Sequence, residues 1–411
     1  MGFFRRVIMK NLSISGFSEK PNIIIANYVI LTFYGYFSIG LTLAVLPIFI
    51  HQQLGFNTVI AGAVISLQYV TTFIMRAYAG NIVDKKGPKP AVIASMICFL
   101  LTGVLLIAAF LTVDTPLLSL AILTVSRLMT GCAEGMVGAS PVNWAMLRMG
   151  EQHTATAISY NGIANYSSMA IGAPLGVWMS SSLGNWSIGG LTILMGMVGL
   201  WSALRKPALK AEQDEPRKPF FKVLKSVSPY GTGLALAGIG FGTLSTFITL
   251  YYAYNKWDQA AICITAFSLL FVVGRLLFAG AIHKYGGTKV AIVSMIVESL
   301  GLLVLCMATD SDVAVFGAAL AGLGFSLVFP ALGVEAVSKV STANKGAALG
   351  AYGLFIDISL GITGPLVGFV AKVFGMAYIF PFSMAMVIIG LFVCAVLNFE
   401  KEKKNNTLLT Q

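Results

Sequence analysis

Residues 76–87 read RAYAGNIVDKKG, and residues 275–286 read RLLFAGAIHKYG. At an offset of 199, Arg76 falls on Arg275, Lys85 on Lys284 and Gly87 on Gly286, while Gly80 falls on the equally small Ala279. Asp84 falls on His283, where the echo breaks. A second echo runs at an offset of 192 between YNGIANYSSMAIGAPLG (160–176) and YGLFIDISLGITGPLVG (352–368). It sets Tyr160 on Tyr352, Gly172 on Gly364, Gly176 on Gly368, and Asn165 on Asp357. Two such echoes mark a duplicated chain, and duplication at this spacing fits membrane folds built from paired bundles.

Composition assigns the environment of the two halves. The 411 residues are 57% hydrophobic and 10% charged, against roughly 25% charged in a soluble domain. A membrane-crossing helix takes about 20 mostly apolar residues. On that length the chain divides into twelve segments, at 24–51, 58–82, 90–112, 116–138, 154–183, 187–204, 229–254, 259–281, 290–309, 313–336, 346–371 and 376–398. The predicted fold is an all-α polytopic membrane protein, with twelve transmembrane helices in two pseudo-symmetric six-helix bundles. A β-barrel would show short alternating segments instead. The bundles are expected at 24–204 and 229–398, with a tail at 1–23, a hydrophilic linker at 205–228 and a second tail at 399–411. No cleavable signal peptide is visible in the basic, polar stretch 1–22.

The net charge of +11 points to membrane orientation, with no nucleic-acid partner expected. With residues 1–22 placed inside, the inner loops, linker and tails hold 22 Lys and Arg, and the outer loops hold only Lys256 and Lys372. By the positive-inside rule both termini are then cytoplasmic. The bacterial cytoplasmic (inner) membrane is the expected location. Cys98, Cys132, Cys263, Cys306 and Cys394 all lie in apolar segments without metal-ligand spacing. They read as small core residues, and neither a metal nor a cofactor is expected.

At this point the sequence resembles the major facilitator superfamily over nearly its whole length. Gly80-x-x-x-Asp84-Lys85-x-Gly87-x-Lys89-Pro90 is similar to the family's loop between helices two and three. Leu123-x-x-x-Arg127-x-x-x-Gly131 is similar to its fourth-helix motif. Gly172-Ala-Pro174-Leu-Gly176 resembles the fifth-helix antiporter motif of exporters, with Ala173 interposed where Gly and Pro would adjoin. Gly131-x-x-Glu134-Gly135 in the fourth helix, the Gly172–Gly176 motif in the fifth and Phe329-Pro330-Ala331-Leu332-Gly333-x-Glu335 in the tenth together resemble the bacterial exporters called arabinose-efflux-like, a label that names no sugar substrate. The resemblance implies a conformational latch formed by Arg76, Gly80, Asp84, Lys85, Gly87 and Lys89. Physically, Asp84 stands near a helix C-terminus, where a negative charge is unfavourable, so it needs a partner elsewhere.

Charges inside spanning helices are costly and usually face the bundle interior, a partner or a water-filled path. Arg127 and Glu134, seven residues apart, fall on nearly one stripe of their helix, about 10 Å apart along its axis. Arg127 either binds an anionic part of the substrate, keeps a nearby carboxylate ionised, or pairs permanently within its own bundle. Asp357, eleven residues into its segment, is the leading candidate for proton coupling, because protonation removes a charge whose desolvation opposes closing of the site. Glu134 and Glu335 are the other candidate proton-coupling acids, with a gate or a structural pair as the alternatives. Tyr34, Phe37, Gln68, Tyr69, Asn161, Asn165, Tyr166, Phe241 and Thr246 are expected to line the substrate site beside Arg127. The first helix carries no acid, which suits a neutral, zwitterionic or anionic solute. Pro47, Pro174, Pro330 and Pro365 are candidate kinks.

The expected function is proton-coupled export of a small organic solute by alternating access, with substrate, protons and the lipid bilayer as partners and a monomer as the working form. The alternatives are an uptake symporter or uniporter, and, from another class, a non-transporting receptor or scaffold. No Walker-type segment is present for ATP drive, and no catalytic motif suggests an enzyme.

Overall fold

The structure is a computed structural model, and it describes residues 21–150, 153–209, 220–278, 280–340 and 345–409. Among these residues every regular element is helical. The first half contains α1 (Pro21–Leu43), α2 (Thr58–Lys86), α3 (Pro88–Leu111), α4 (Pro116–Val137), α5 (Ser140–Met149), α6 (Thr154–Ser182) and α7 (Trp186–Arg205). The second contains α8 (Phe220–Asn255), α9 (Ala261–Phe278), α10 (Ala281–Tyr285), α11 (Gly287–Cys306), α12 (Ser311–Phe325), α13 (Val328–Val337), α14 (Lys345–Val373) and α15 (Ile379–Leu409).

Local chemistry explains the boundaries. Gly87 and Gly286, partners in the repeat, have φ of 84° and 86°. That left-handed backbone is open to glycine at little cost, and each residue turns one helix into the next. Asn57 caps α2 by accepting from Ile60 N at 2.9 Å, and Asp310 caps α12 by accepting from Val313 N at 3.0 Å.

Two expected spans, the first and the tenth, are broken at a proline, and beyond the fourth, which α4 fills, a further helix starts at a third proline. Proline has no N–H and crowds the carbonyl four residues back. Pro47, Pro141 and Pro330 therefore end the preceding helices at Leu43, Val137 and Phe325. The first span resumes through a short turn at Leu46–Ile48 and a π turn at Phe49–Gln53. The fourth is followed by α5 and the tenth resumes as α13, each ten residues long. Pro174 and Pro365 instead lie within uninterrupted α6 and α14.

Helix also extends into two stretches expected to be hydrophilic connections. α8 begins at Phe220, inside the 205–228 linker, because Val223 and Val227, one turn apart, bury their side chains almost completely. α15 runs to Leu409, through most of the expected tail.

Among the described residues, eleven helical stretches are long and apolar enough to cross a membrane. They do not include α6, which is long enough at 29 residues but carries Asn161, Asn165 and a run of hydroxyl residues. Its polar face belongs to the interior of the molecule: α6 packs on α1 within its bundle and on α9 of the other. The second bridge between bundles joins α2 to α14. The two bridges are repeat partners, each formed by the second helix of one half and the fifth of the other.

Close approach of backbones sets this packing. A Cβ on Gly131 would overlap the carbonyl oxygen of Gln68, and one on Gly135 would stand 2.7 Å from that of Thr72, so α4 lies directly on α2. Gly62 and Gly364 abut across the α2–α14 bridge, where Thr58 also donates to Gly368 O at 3.4 Å. Toward the end that carries the linker, Gly80 and Gly350 face open space.

Candidate functional site

Where α2 meets α14, Arg76 forks onto Asp357. Its Nη2 donates to Oδ1 at 2.8 Å and its Nε stands 2.7 Å from Oδ2. The carboxylate side chain is 3% exposed and the arginine 19%, so the charges are largely withdrawn from solvent. Each helix belongs to a different bundle, which makes this ion pair a charged fastening between the halves. Glu134 and the Tyr36 hydroxyl also lie within electrostatic reach of Arg76, and Glu134 interacts with Asp357.

About two turns along α2 from Arg76, at Gln68, the charges of α4 are joined. Arg127 Nη1 donates to Gln68 Oε1 at 3.1 Å, and Gln68 Nε2 donates to Glu134 Oε2 at 3.2 Å. Thr72 adds a hydrogen bond to Glu134 at 3.1 Å, and Thr42 accepts from Arg127 at 3.4 Å. The amide of Gln68 has one donor end and one acceptor end, so it satisfies a cation and an anion at once.

Asp357 faces Arg76, one of the residues expected in the latch, whereas Arg127 bonds inside its own bundle, one of the three readings open for it. Arg76 lies eight residues before Asp84, about 12 Å further along the helix, and so belongs to the bundle interface. The sequence signal was its repeat: an arginine on the second helix of each half, opposite a polar residue on the fifth helix of the other.

The remaining candidates separate into several settings. Gln68, Tyr69, Phe37, Phe241 and Thr246 are buried, whereas Tyr34, Asn161, Asn165 and Tyr166 are half-buried. Asn161 accepts from Thr32 at 2.6 Å and donates to Gly138 O at 3.3 Å, fixing α6 against α1 and α4. Tyr166 stacks on Phe271 with ring centroids 3.5 Å apart, and Phe241 stacks on Phe267 and Phe325. These rings form an aromatic layer drawn from both bundles. Gly172 and Gly176 bring α6 against α1: a Cβ on Gly172 would stand 3.0 Å from Phe37 O, and one on Gly176 would overlap Leu41 O.

Glu335 joins a separate site within the second bundle. Both its oxygens accept from Lys401 Nζ at 2.8 Å, and Oε1 also accepts from Gly287 N at 3.0 Å. It therefore ties α13 to α15 and to the N-terminus of α11. Of the latch residues, Lys89 donates to Leu204 O at 2.9 Å and Lys206 O at 2.6 Å, both in its own half. Lys85 is exposed. The side chains of Asp84 and His283 lie outside the described residues.

The family model described as Major Facilitator Superfamily matches residues 28–258 and again 233–411. An uncharacterized MFS-type transporter of Pseudomonas aeruginosa (strain UCBPP-PA14) is 49% identical over 377 residues, covering 91% of this chain and 93% of the relative. One from Burkholderia mallei (strain SAVP1) is 47% identical over 356 residues, covering 87% of each chain. Among solved structures, the nucleoside transporter NupG aligns with a TM-score of 0.70 at 15% identity, over 91% of this chain and 98% of that one. The human organic anion transporter MFSD10 (TETRAN) aligns with a TM-score of 0.66 at 15% identity, over 92% and 100%. At that identity these two likenesses speak for the fold alone.

Proposed function

The chain belongs to the major facilitator superfamily of membrane transporters, and from that premise we propose that it is a proton-coupled exporter of a small organic solute. It is a transporter and not an enzyme, and nothing supports a receptor or scaffold role. The observation that carries the coupling is the Arg76–Asp357 ion pair between the bundles. A buried carboxylate is tolerated while an arginine compensates it. Protonation of Asp357 removes the Coulomb attraction, frees Arg76 to turn toward Glu134, and loosens α2 from α14. Loss of the proton restores the fastening. Alternating access then follows as a population shift between two arrangements of the bundles.

Export through the bacterial inner membrane, with the linker end cytoplasmic, is the direction we favour. The direction rests on the resemblance of Gly172–Gly176 to the exporters' motif, and the cytoplasmic placement of the linker end rests on the cation count of the loops. The test is transport in proteoliposomes with an imposed pH gradient, using a solute selected by thermal stabilisation of the purified protein. Export by antiport requires solute and protons to move in opposite directions. Movement in the same direction would replace it with uptake symport. Transport by Asp357→Asn that kept its full pH dependence would remove Asp357 from the coupling.

A further inference from the structure

The repeat that aligns Arg76 with Arg275 also aligns Asp357 with Asn165. The structure brings these partners to equivalent places, Arg76 of α2 against α14 and Arg275 of α9 against α6. One bridge thus carries an arginine and a carboxylate, and its counterpart an arginine and an amide. Arg275 is half-buried, and among the described residues no carboxylate or hydrogen-bond acceptor meets its guanidinium. Its carbon stands 5.5 Å from the Phe271 ring centroid. Its Nη1 lies only 2.8 Å from where a Cβ on Gly162 would project, so it rests on bare backbone of α6. Asn165 follows on the same face of α6, about one turn along, and its Oδ1 is buried without a partner.

A cation partly withdrawn from water without a counterion is less favourable than a paired one, and its repeat partner has one supplied by the chain. We propose that Arg275, with Asn165 and the Tyr166–Phe271 stack, is the subsite that takes the carboxylate of a small aromatic or apolar carboxylic acid. The planar guanidinium matches a carboxylate in a forked contact. The Nδ2 end of the Asn165 amide supplies N–H donors beside it, while the unpartnered Oδ1 is an acceptor and takes no part in holding a carboxylate. The half-buried Tyr166 ring, backed by the buried Phe271, offers an apolar edge to the body of the acid. A bound carboxylate does for α9 and α6 what Asp357 does for α2 and α14, so occupancy bears directly on the packing of the bundles. This assignment rests on the carrier reading above, but it depends on neither direction nor proton coupling.

The test is thermal unfolding of the purified full chain at neutral pH with benzoate or its neutral isostere benzamide. In wild type, benzoate raises Tm and benzamide does not. Arg275→Gln abolishes the benzoate shift. Asn165→Asp supplies the missing carboxylate internally, so it raises Tm without ligand and removes the benzoate shift; adding Arg275→Gln cancels that rise. Equal shifts from benzoate and benzamide, no benzoate shift in wild type, or an undiminished shift in Arg275→Gln overturns the proposal. Should Arg275→Gln fail to fold, Asn165→Asp decides alone: an unchanged Tm with an intact benzoate shift overturns it. Solute movement alongside protons in proteoliposomes would defeat the export reading while leaving these shifts unaffected.

Discussion

Arg76 and Asp357, 281 positions apart in the chain, make a two-point contact that spans the boundary between the bundles. The pair stabilises one arrangement of the halves, and its two members are unequal to each other's loss. Removing one partner of a buried ion pair costs about 3–5 kcal/mol, because the other charge is left uncompensated. Arg76→Ala and Asp357→Ala should each lower Tm markedly, whereas the double variant should lie above the sum of the single losses. Additive losses in a thermal-unfolding cycle would show that the contact contributes no coupling.

The relation of Arg127 to Glu134 yields a second prediction. Gln68→Leu removes the amide that serves both, leaving a buried cation and a buried anion each short of a partner. An unsatisfied buried polar group costs roughly 1–3 kcal/mol, and more when charged. The variant should lose at least that much, and adding Glu134→Leu should restore part of it by removing one orphan. A Tm for Gln68→Leu equal to wild type would show the relay to be energetically idle.

These two relationships also mark how far the sequence is legible. Hydropathy and the repeat disclosed the bundles, and the spacing of Arg127 and Glu134 disclosed their common stripe. The height of α2 beside α4 is invisible along either helix alone. It is set where Gly131 and Gly135 let the backbones touch, and that register carries Gln68 between the two charges. The linkage of Arg76 to Asp357 depends likewise on how one bundle meets the other. No periodicity within a helix encodes that meeting; only the swapped correspondence of the repeats hinted at it. The helix breaks were legible in principle, since Pro47 and Pro141 stand four residues, and Pro330 five, beyond the last residue of the helix each ends.

Outside the membrane spans, Asp310 offers a pH signature. Its backbone hydrogen bond from Val313 is the main cause holding its carboxyl below the usual range. A depressed folded pKa means that the cap stabilises α12 fully above the ordinary carboxylate value, about 3.9. That contribution is lost as pH falls through the folded pKa. In Tm measured from neutral pH downward, Asp310→Asn should retain the cap and show a shallower acid limb. Asp310→Ala should lower Tm near neutrality and share the shallower limb. Parallel acid limbs in all three proteins would remove Asp310 from the acid response.

Glycine substitutions separate packing from conformational function. At Gly131 a methyl group would enter the space of Gln68 O, and at Gly176 that of Leu41 O. Backbone atoms cannot step aside as a flexible side chain can. Overpacking of this kind costs about 1–3 kcal/mol, so Gly131→Ala and Gly176→Ala should unfold at lower temperature. At Gly80 a methyl group meets nothing within 4 Å, and the repeat already carries Ala279 at the matching position. Gly80→Ala should therefore match wild type in Tm. If the 80–90 loop acts as a latch, α2 and α14 close at their linker ends in the other state, and the added methyl group then obstructs that closure. Gly80→Ala should consequently slow transport several-fold at unchanged Tm. Wild-type transport by Gly80→Ala would show that close approach at this position is no part of the cycle, whatever Lys85 and Lys89 contribute.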